Sequence, residues 1–371
     1  AAPSAMAIAI NSAKTVVVNK VPKCPPASPA AHKQHNTHRP SSCTPFGPTC
    51  TPVAASPAVA KARRLKRHPC ATAPHADTSH DQRCRQAGKP TLVLGAGWVG
   101  SRLARELLDD MGHVAVTNRP GWDSRVKEPY FEPVALPEGT PRYAFDIEER
   151  STWANLPAPE SLGAAVVTFP PSLESAEAFW EGYLSRVRHV VAYSSTGVYR
   201  VDVPGQVVDE STPLRASPRA SVDRYFQSRG ATVLTISGIF SDARTSRGVC
   251  TCLAAYTSSG GALNGRKAVS MVHVRDIVQA TLRTLARGVA GGDGASGGER
   301  LNVGGHTFLL GDLLAHCKYP PAATDLPDTD LSSKRVSSDK LLREVMPPDY
   351  RFAQPLPEAC LCGESDPAAS V

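Results

Sequence analysis

The chain has 371 residues, enough for one large α/β domain with an appendage or for two or three domains of about 150 residues each. Its 41 Lys and Arg outnumber its 34 Asp and Glu, but residues 1–76 hold ten basic residues and no acid, so taking those ten from the net +7 leaves residues 77–371 at −3. That remainder has no basic surplus to attract nucleic acid or acidic lipid, and no apolar run approaches the ~20 residues that span a bilayer, which argues against a DNA-binding domain and a membrane span.

Residues 1–90 are rich in Pro, Ala, Ser, Thr and His and free of acid until Asp77. With so little to bury, this stretch is expected to be disordered. A long, basic, hydroxylated leader resembles a plastid transit peptide, with a mitochondrial one as the alternative and Met6 as a conceivable initiator. The run Lys61, Ala62, Arg63, Arg64, Leu65, Lys66, Arg67 is open to two other readings, a nuclear signal or a phosphate-binding patch, but nothing aromatic interleaves it. His32, His35 and His38 share a three-residue spacing in a polar, Pro-flanked tract that offers no scaffold for a metal. Cys24, Cys43, Cys50, Cys70 and Cys84 lack the paired spacing of a zinc site, and Cys250, Cys252, Cys317, Cys360 and Cys362 are expected to be ordinary reduced thiols.

Order is expected to begin at residue 91. Residues 91–94 read as a buried strand, followed by Gly95, Ala96, Gly97, Trp98, Val99, Gly100 and a segment in which Val99, Leu103, Leu107 and Leu108 recur at helical spacing. In this strand, turn and helix, each glycine has a separate mechanical reason. Gly95 makes the tight turn, Gly97 lets the backbone touch a pyrophosphate, and Gly100 allows close packing of helix on strand. Free N–H groups and the positive dipole end at the helix start favour the same anion. A second strand, 113–117, completes the unit and places Asn118 and Arg119 where NAD-specific chains carry a ribose-binding acid; a guanidinium there suits the 2′-phosphate of NADP, with NAD the alternative. Further strands are expected at 143–145, 164–169, 189–193 and 231–236, with helices at 173–187 and 217–229 between them, an alternation that forces parallel pairing with helices on both faces. The fold class is a doubly wound α/β sheet.

Residues 192–199, AYSSTGVY, resemble the SS-x-x-VYG segment of the extended short-chain dehydrogenase/reductases, the NAD-dependent epimerase/dehydratase family with its Rossmann fold. VDESTPLR at 208–215, SGIF at 237–240, VHVRDIVQATLRTL at 272–285 and LNVGG at 301–305 resemble that family's later stretches in order, so the likeness covers about 91–355. The closest in kind are atypical members with a GxGxxG loop and an incomplete catalytic tetrad. The resemblance implies a Rossmann part at about 91–240 and a smaller discontinuous substrate lobe mainly at 241–355; the tail at 356–371 is expected to be disordered. It implies that Gly95, Gly97, Trp98, Val99 and Gly100 surround the pyrophosphate, that Asp146 and Ile147 meet the adenine, and that Phe169, Pro170 and Pro171 line the path to the nicotinamide. It gives Ser195, with Thr196 beside it, the role of orienting a substrate carbonyl or alcohol.

The family's Tyr-x-x-x-Lys pair is missing: the matching region has Arg219 near the Tyr place and Asp223 near the Lys place. Tyr225 and Arg229 have the right spacing but fall at the helix end, which leaves Tyr199, if its ring turns inward, or a water on Ser195 as proton carrier. His273 and Arg275 are expected at lobe contacts or in an ion pair, and Arg335 near an anionic substrate group or in an ion pair. The resulting expectation is an NADP-binding oxidoreductase or epimerase/dehydratase-like protein acting on a small carbonyl, alcohol or nucleotide sugar. The alternative is a cofactor-sensing scaffold, assembly factor or RNA-associated factor that has lost the chemistry.

Overall fold

The computed structural model describes residues 88–121, 133–241, 249–250, 253, 263–290, 298–317 and 327–353, all within one compact unit. The leader, its histidine and basic runs, most of the 291–298 glycine loop and the tail from Cys360 lie outside the described residues. Among those described, no helix is long and apolar enough to cross a membrane.

The chain begins with strand β1 (Thr91–Leu94), helix α1 (Trp98–Met111), β2 (Val114–Asn118) and β3 (Arg142–Ala144). It continues through β4 (Ala164–Val167), α2 (Leu173–Gly182), β5 (Val190–Ser195), β6 (Gln206–Val208), α3 (Pro218–Ser228), β7 (Thr232–Ile236) and β8 (Gly238–Phe240). The last part holds β9 (Ala268–His273), α4 (Val274–Ala290), β10 (Arg300–Val303), β11 (His306–Leu309), α5 (Leu310–His316), β12 (Lys334–Val336) and α6 (Asp339–Glu344). Seven strands form one parallel sheet in the order β10-β7-β5-β4-β1-β2-β3, so the expected doubly wound fold is what the chain adopts. β1, β4 and β7 are buried along their whole length, as strands covered on both faces must be.

Two hydrophobic cores flank the sheet. Leu103 and Leu107 of α1 meet Ile277, Ala280 and Leu285 of α4 on one face. On the other, Ala176, Phe179 and Trp180 of α2 join Val222 and Phe226 of α3. Local signals set the helix ends. Gly112 closes α1 in the left-handed conformation at φ +72°, its N–H bonded to the Leu108 carbonyl. Ser172 and Ser217 cap α2 and α3 with side-chain oxygens, and Pro218 occupies the first position of α3, where its missing N–H costs nothing.

Several expectations shift. The strand expected at 164–169 ends at Val167, and the helix expected to reach 187 stops at Gly182 before a short 3₁₀ turn, Leu184–Arg186. The boundary near 240 is not a clean cut between lobes, because β10 returns to the edge of the main sheet beside β7. A three-stranded sheet, β11-β9-β8, and the β6–β12 pair make up the smaller lobe. The reduced-thiol expectation is corrected at one pair: Cys250 is disulfide-bonded to Cys317, across 67 residues, and not to its near neighbour Cys252. A fold brings together thiols that sequence spacing does not.

Candidate functional site

At the carboxyl ends of β1, β2 and β4, where the strand order reverses, lies a cavity of about 380 Å³. The glycine turn forms its floor. Gly95 has φ +94°, and a Cβ there would meet Thr168 Oγ1 at 2.7 Å and the Phe169 ring at 2.9 Å, so only glycine makes this turn. A Cβ on Gly100 would collide with the Gly95 carbonyl oxygen, whereas one on Gly97 would meet nothing within 4 Å. Turn, open approach and close packing are thus distributed over the three glycines as their spacing predicts.

Two threonines hold the turn. Thr117 Oγ1 accepts from the Gly95 N–H at 2.9 Å, and Thr168 Oγ1 donates to the Gly95 carbonyl at 2.7 Å. Neither was singled out in the sequence, although a hydroxyl at the end of a strand beside a glycine turn is a readable signal. The 14-residue α1 starts immediately after Gly97 with no side-chain cap and no acid in its first turn, leaving the positive end of its dipole facing the cavity. Arg102 stacks over the Trp98 ring at 4.4 Å and adds charge one turn in.

The remaining walls come from Trp98, Val99, Asn118, Arg119, Asp146, Ile147 and Phe169, together with Phe145 and Ile239, which the sequence reading missed. Every residue expected to hold a cofactor therefore lines this one cavity except Pro170 and Pro171, which follow Phe169 in the chain, the first exposed and the second half-buried. Arg119, 68% exposed, lies with its Nε 3.5 Å from Asp146 Oδ2, an ion pair across the mouth. These residues fit a dinucleotide: an open approach at Gly97 before the uncapped start of α1, an apolar and aromatic wall, and charge at the rim.

The expected catalytic groups divide. Ser195, exposed at the end of β5, has its Oγ 3.3 Å from the Gly197 N–H, whose bond it accepts. Thr196 is buried in the short turn that follows. Tyr199 is placed differently from the inward-turning ring required of a proton carrier. It packs with Val201, Val208 and Val336 beneath the smaller lobe, and its hydroxyl donates to Asn302 Oδ1 at 2.5 Å. Burial raises its pKa above the ordinary phenol range, so it holds its proton. Tyr225 reaches Glu181 on α2 at 3.3 Å, with Arg229 over its ring, on the outer surface of the sheet.

The vacated Tyr and Lys positions have other work. Asp223 is 3% exposed, and its Oδ2 accepts from Ser194 Oγ at 2.5 Å and Arg300 Nη1 at 3.1 Å. Arg300, 4% exposed, also donates to Thr235 Oγ1 and Gln227 Oε1. Arg219 Nη2 donates to the Tyr193 carbonyl at 3.1 Å. Burial lowers its pKa, partly offset by the charge of Asp223. His273 packs edge-on against Phe240 and its Nδ1 accepts from the Arg275 N–H, while Arg335 stands exposed in β12.

No family model and no curated protein matches the chain. Solved structures do, and they show its fold: it is that of a UDP-galactose 4-epimerase and a dTDP-glucose 4,6-dehydratase, in keeping with the resemblance of its motifs. A UDP-galactose 4-epimerase is similar at TM-score 0.52 and 17% identity over 71% of this chain and 94% of its own. A dTDP-glucose 4,6-dehydratase from Bacillus anthracis str. Ames, in complex with NAD, is similar at 0.51 and 15%, covering 72% and 92%. A putative epimerase from Burkholderia cenocepacia J2315 is similar at 0.51 and 17%, covering 70% and 92%.

Proposed function

We propose that the cavity binds a nicotinamide dinucleotide, NADP in preference to NAD, and that the protein is an oxidoreductase or epimerase/dehydratase-like protein acting on a small carbonyl, alcohol or nucleotide sugar. One observation carries the reading: the glycine turn leaves Gly97 open at the uncapped start of α1 while Gly95 and Gly100 are packed tightly. In this reading the backbone at Gly97 and the start of α1 hold the pyrophosphate, Asp146 and Ile147 flank the adenine, and Arg119 meets the 2′-phosphate. The similar structures include ones solved with NAD, and the fold they share supports the same class of ligand here. When bound, the nicotinamide supplies a hydride donor or acceptor. Ser195 and Thr196 orient the substrate oxygen, and a water on Ser195 exchanges the proton, since Tyr199 is committed to Asn302.

A second reading, a binding protein without turnover, is favoured by Asp223. The position of the family's lysine is filled by a buried carboxylate locked to Ser194 and Arg300. The acid-free basic composition of residues 1–76 supports delivery to a plastid or, as alternative, a mitochondrion.

The test is a titration of the full-length protein with NADPH and NADH, followed by cofactor fluorescence, then a screen of sugar nucleotides and carbonyl compounds for turnover. Saturable binding stronger for NADPH supports the cofactor assignment. Binding without turnover of any of them selects the second reading, and no binding of either nucleotide overturns both.

A further inference from the structure

We propose that Arg219 is an anion receptor, its guanidinium holding a carboxylate or phosphate group of the substrate at the carboxyl end of β5. The inference deepens the reading above and rests on its placement of the ligand at the strand ends. Pairing of β4 with β5 stops at Val167 and Ala192, and one residue further the Tyr193 carbonyl accepts from Arg219 Nη2. Ser195 follows two residues along the same strand, about 7 Å away at the rise of an extended chain. Arg219 therefore stands where β4 and β5 part.

What singles out this arginine is how little compensates it: the charge of Asp223 acts on it without forming an ion pair. Its Nε is enclosed and without a hydrogen-bond partner, and Nη1, which is not enclosed, also has no protein partner among the described residues. No carboxylate among the described residues forms an ion pair with it. Asp223, one helical turn on, gives its Oδ2 to Ser194 and to Arg300. The contrast with Arg300 is direct, because that guanidinium has Asp223, Thr235 and Gln227 as partners. An arginine does not shed its charge, so a half-buried one without an ion-pair partner is a cost to the folded state that an arriving anion offsets. Its planar N–H groups suit paired carboxylate or phosphate oxygens, and no proton need move.

The experiment is calorimetric titration of the full-length protein with potassium oxalate and with inorganic phosphate, on wild type, Arg219→Met and Arg219→Lys, with NADPH titrated in parallel and thermal unfolding recorded. The expected result is measurable binding of at least one anion, weakened about tenfold or more in Arg219→Met and less in Arg219→Lys, with NADPH affinity within about twofold and no fall in Tm. Oxalate binding alone assigns a carboxylate, phosphate binding alone a phosphorylated substrate. Failure of wild type to bind either anion, or equal affinity in wild type and Arg219→Met, overturns the proposal; the second result includes phosphate held only by the glycine turn. A loss of Tm with anion affinity unchanged assigns Arg219 to bracing the Tyr193 carbonyl, which also overturns it. If neither nucleotide binds while anion binding still depends on Arg219, the cofactor reading falls and this one stands.

Discussion

The glycine turn after β1 and the polar cluster between β5, α3 and β10 lie on the same sheet but use their polar groups in opposite ways. At the turn, threonines and helix geometry fix the backbone while the donors at the start of α1 have no side-chain cap. In the cluster, Ser194, Asp223, Arg300, Thr235 and Gln227 satisfy one another and are largely shut off from water. A region that keeps an open backbone approach at an uncapped helix start is built to meet a ligand, and a region whose polar groups satisfy one another is built to hold the fold. In this chain Asp223 belongs to the second kind.

The largest effect is expected from breaking the closed region. Asp223→Ala leaves Arg300 buried with its charge uncompensated and should cost about 3–5 kcal/mol, read as a fall in the denaturant midpoint. Asp223→Leu combined with Arg300→Met removes both charges and should cost clearly less than the sum of the single changes. If Asp223→Ala leaves stability unchanged, the carboxylate is not structural and the second functional reading loses its support.

A somewhat smaller effect concerns His189, just before the start of β5, at the end of the strand away from Ser195. Burial lowers its pKa to about 4, aided by the charges of Arg287 and Arg188, and its Nε2 has no partner to receive a proton. The unfolded chain binds that proton near pH 6.5, so between about pH 6.5 and 4 the unfolded state holds more protons and stability falls as the pH drops; above 6.5 this group contributes no slope. The loss amounts to about 3 kcal/mol between pH 7 and pH 4. Unfolding of wild type and His189→Asn at both pH values checks it: the variant should lack that part of the acid loss, and equal losses in both would refute the assignment.

Comparing Gly100 with Gly97 sharpens the contrast inside the open region. Gly100→Ala drives a methyl group into the Gly95 carbonyl and should cost about 1–3 kcal/mol as the turn shifts. Gly97→Ala meets nothing in the protein, at a residue whose φ of −72° any side chain tolerates, and should leave stability within about 0.5 kcal/mol while weakening NADPH. Thermal unfolding beside nucleotide titration separates the two; Gly97→Ala binding NADPH as wild type does would mean that no ligand comes close to this backbone.

How far such a site can be read in advance depends on whether its parts are close in sequence. The glycine turn was legible because 91–118 is a single local unit in which apolar runs mark the strands and glycine marks the bends. Asn118, Arg119 and Asp146 were legible because strand ends in a parallel sheet all open on the same crevice. Tyr199 was not, because its environment is made by Asn302, about a hundred residues on, at a strand that rejoins the sheet edge. The same holds for Asp223 with Arg300 and for Cys250 with Cys317: nothing local marks a partner supplied by β10 or by the end of α5.

The smallest expected effect lies at the rim, where Arg119 is 68% exposed and paired at 3.5 Å with Asp146. An exposed pair of this kind contributes little to stability, so Arg119→Asp should leave Tm unchanged while lowering the preference for NADPH over NADH by about tenfold. Its neighbour supplies the opposite arm. If the proposed reading holds, Asp146, paired with Arg119, stands beside a 2′-phosphate, so Asp146→Asn should raise the ratio of NADPH to NADH affinity a few-fold, a ratio that cancels any adenine contact the two share. Because the guanidinium sits in water, the preference should also shrink as salt is raised from about 0.05 to 0.5 M. A preference indifferent both to salt and to Arg119→Asp would place the discrimination deeper in the cavity, at Asn118 or at the main chain of the turn.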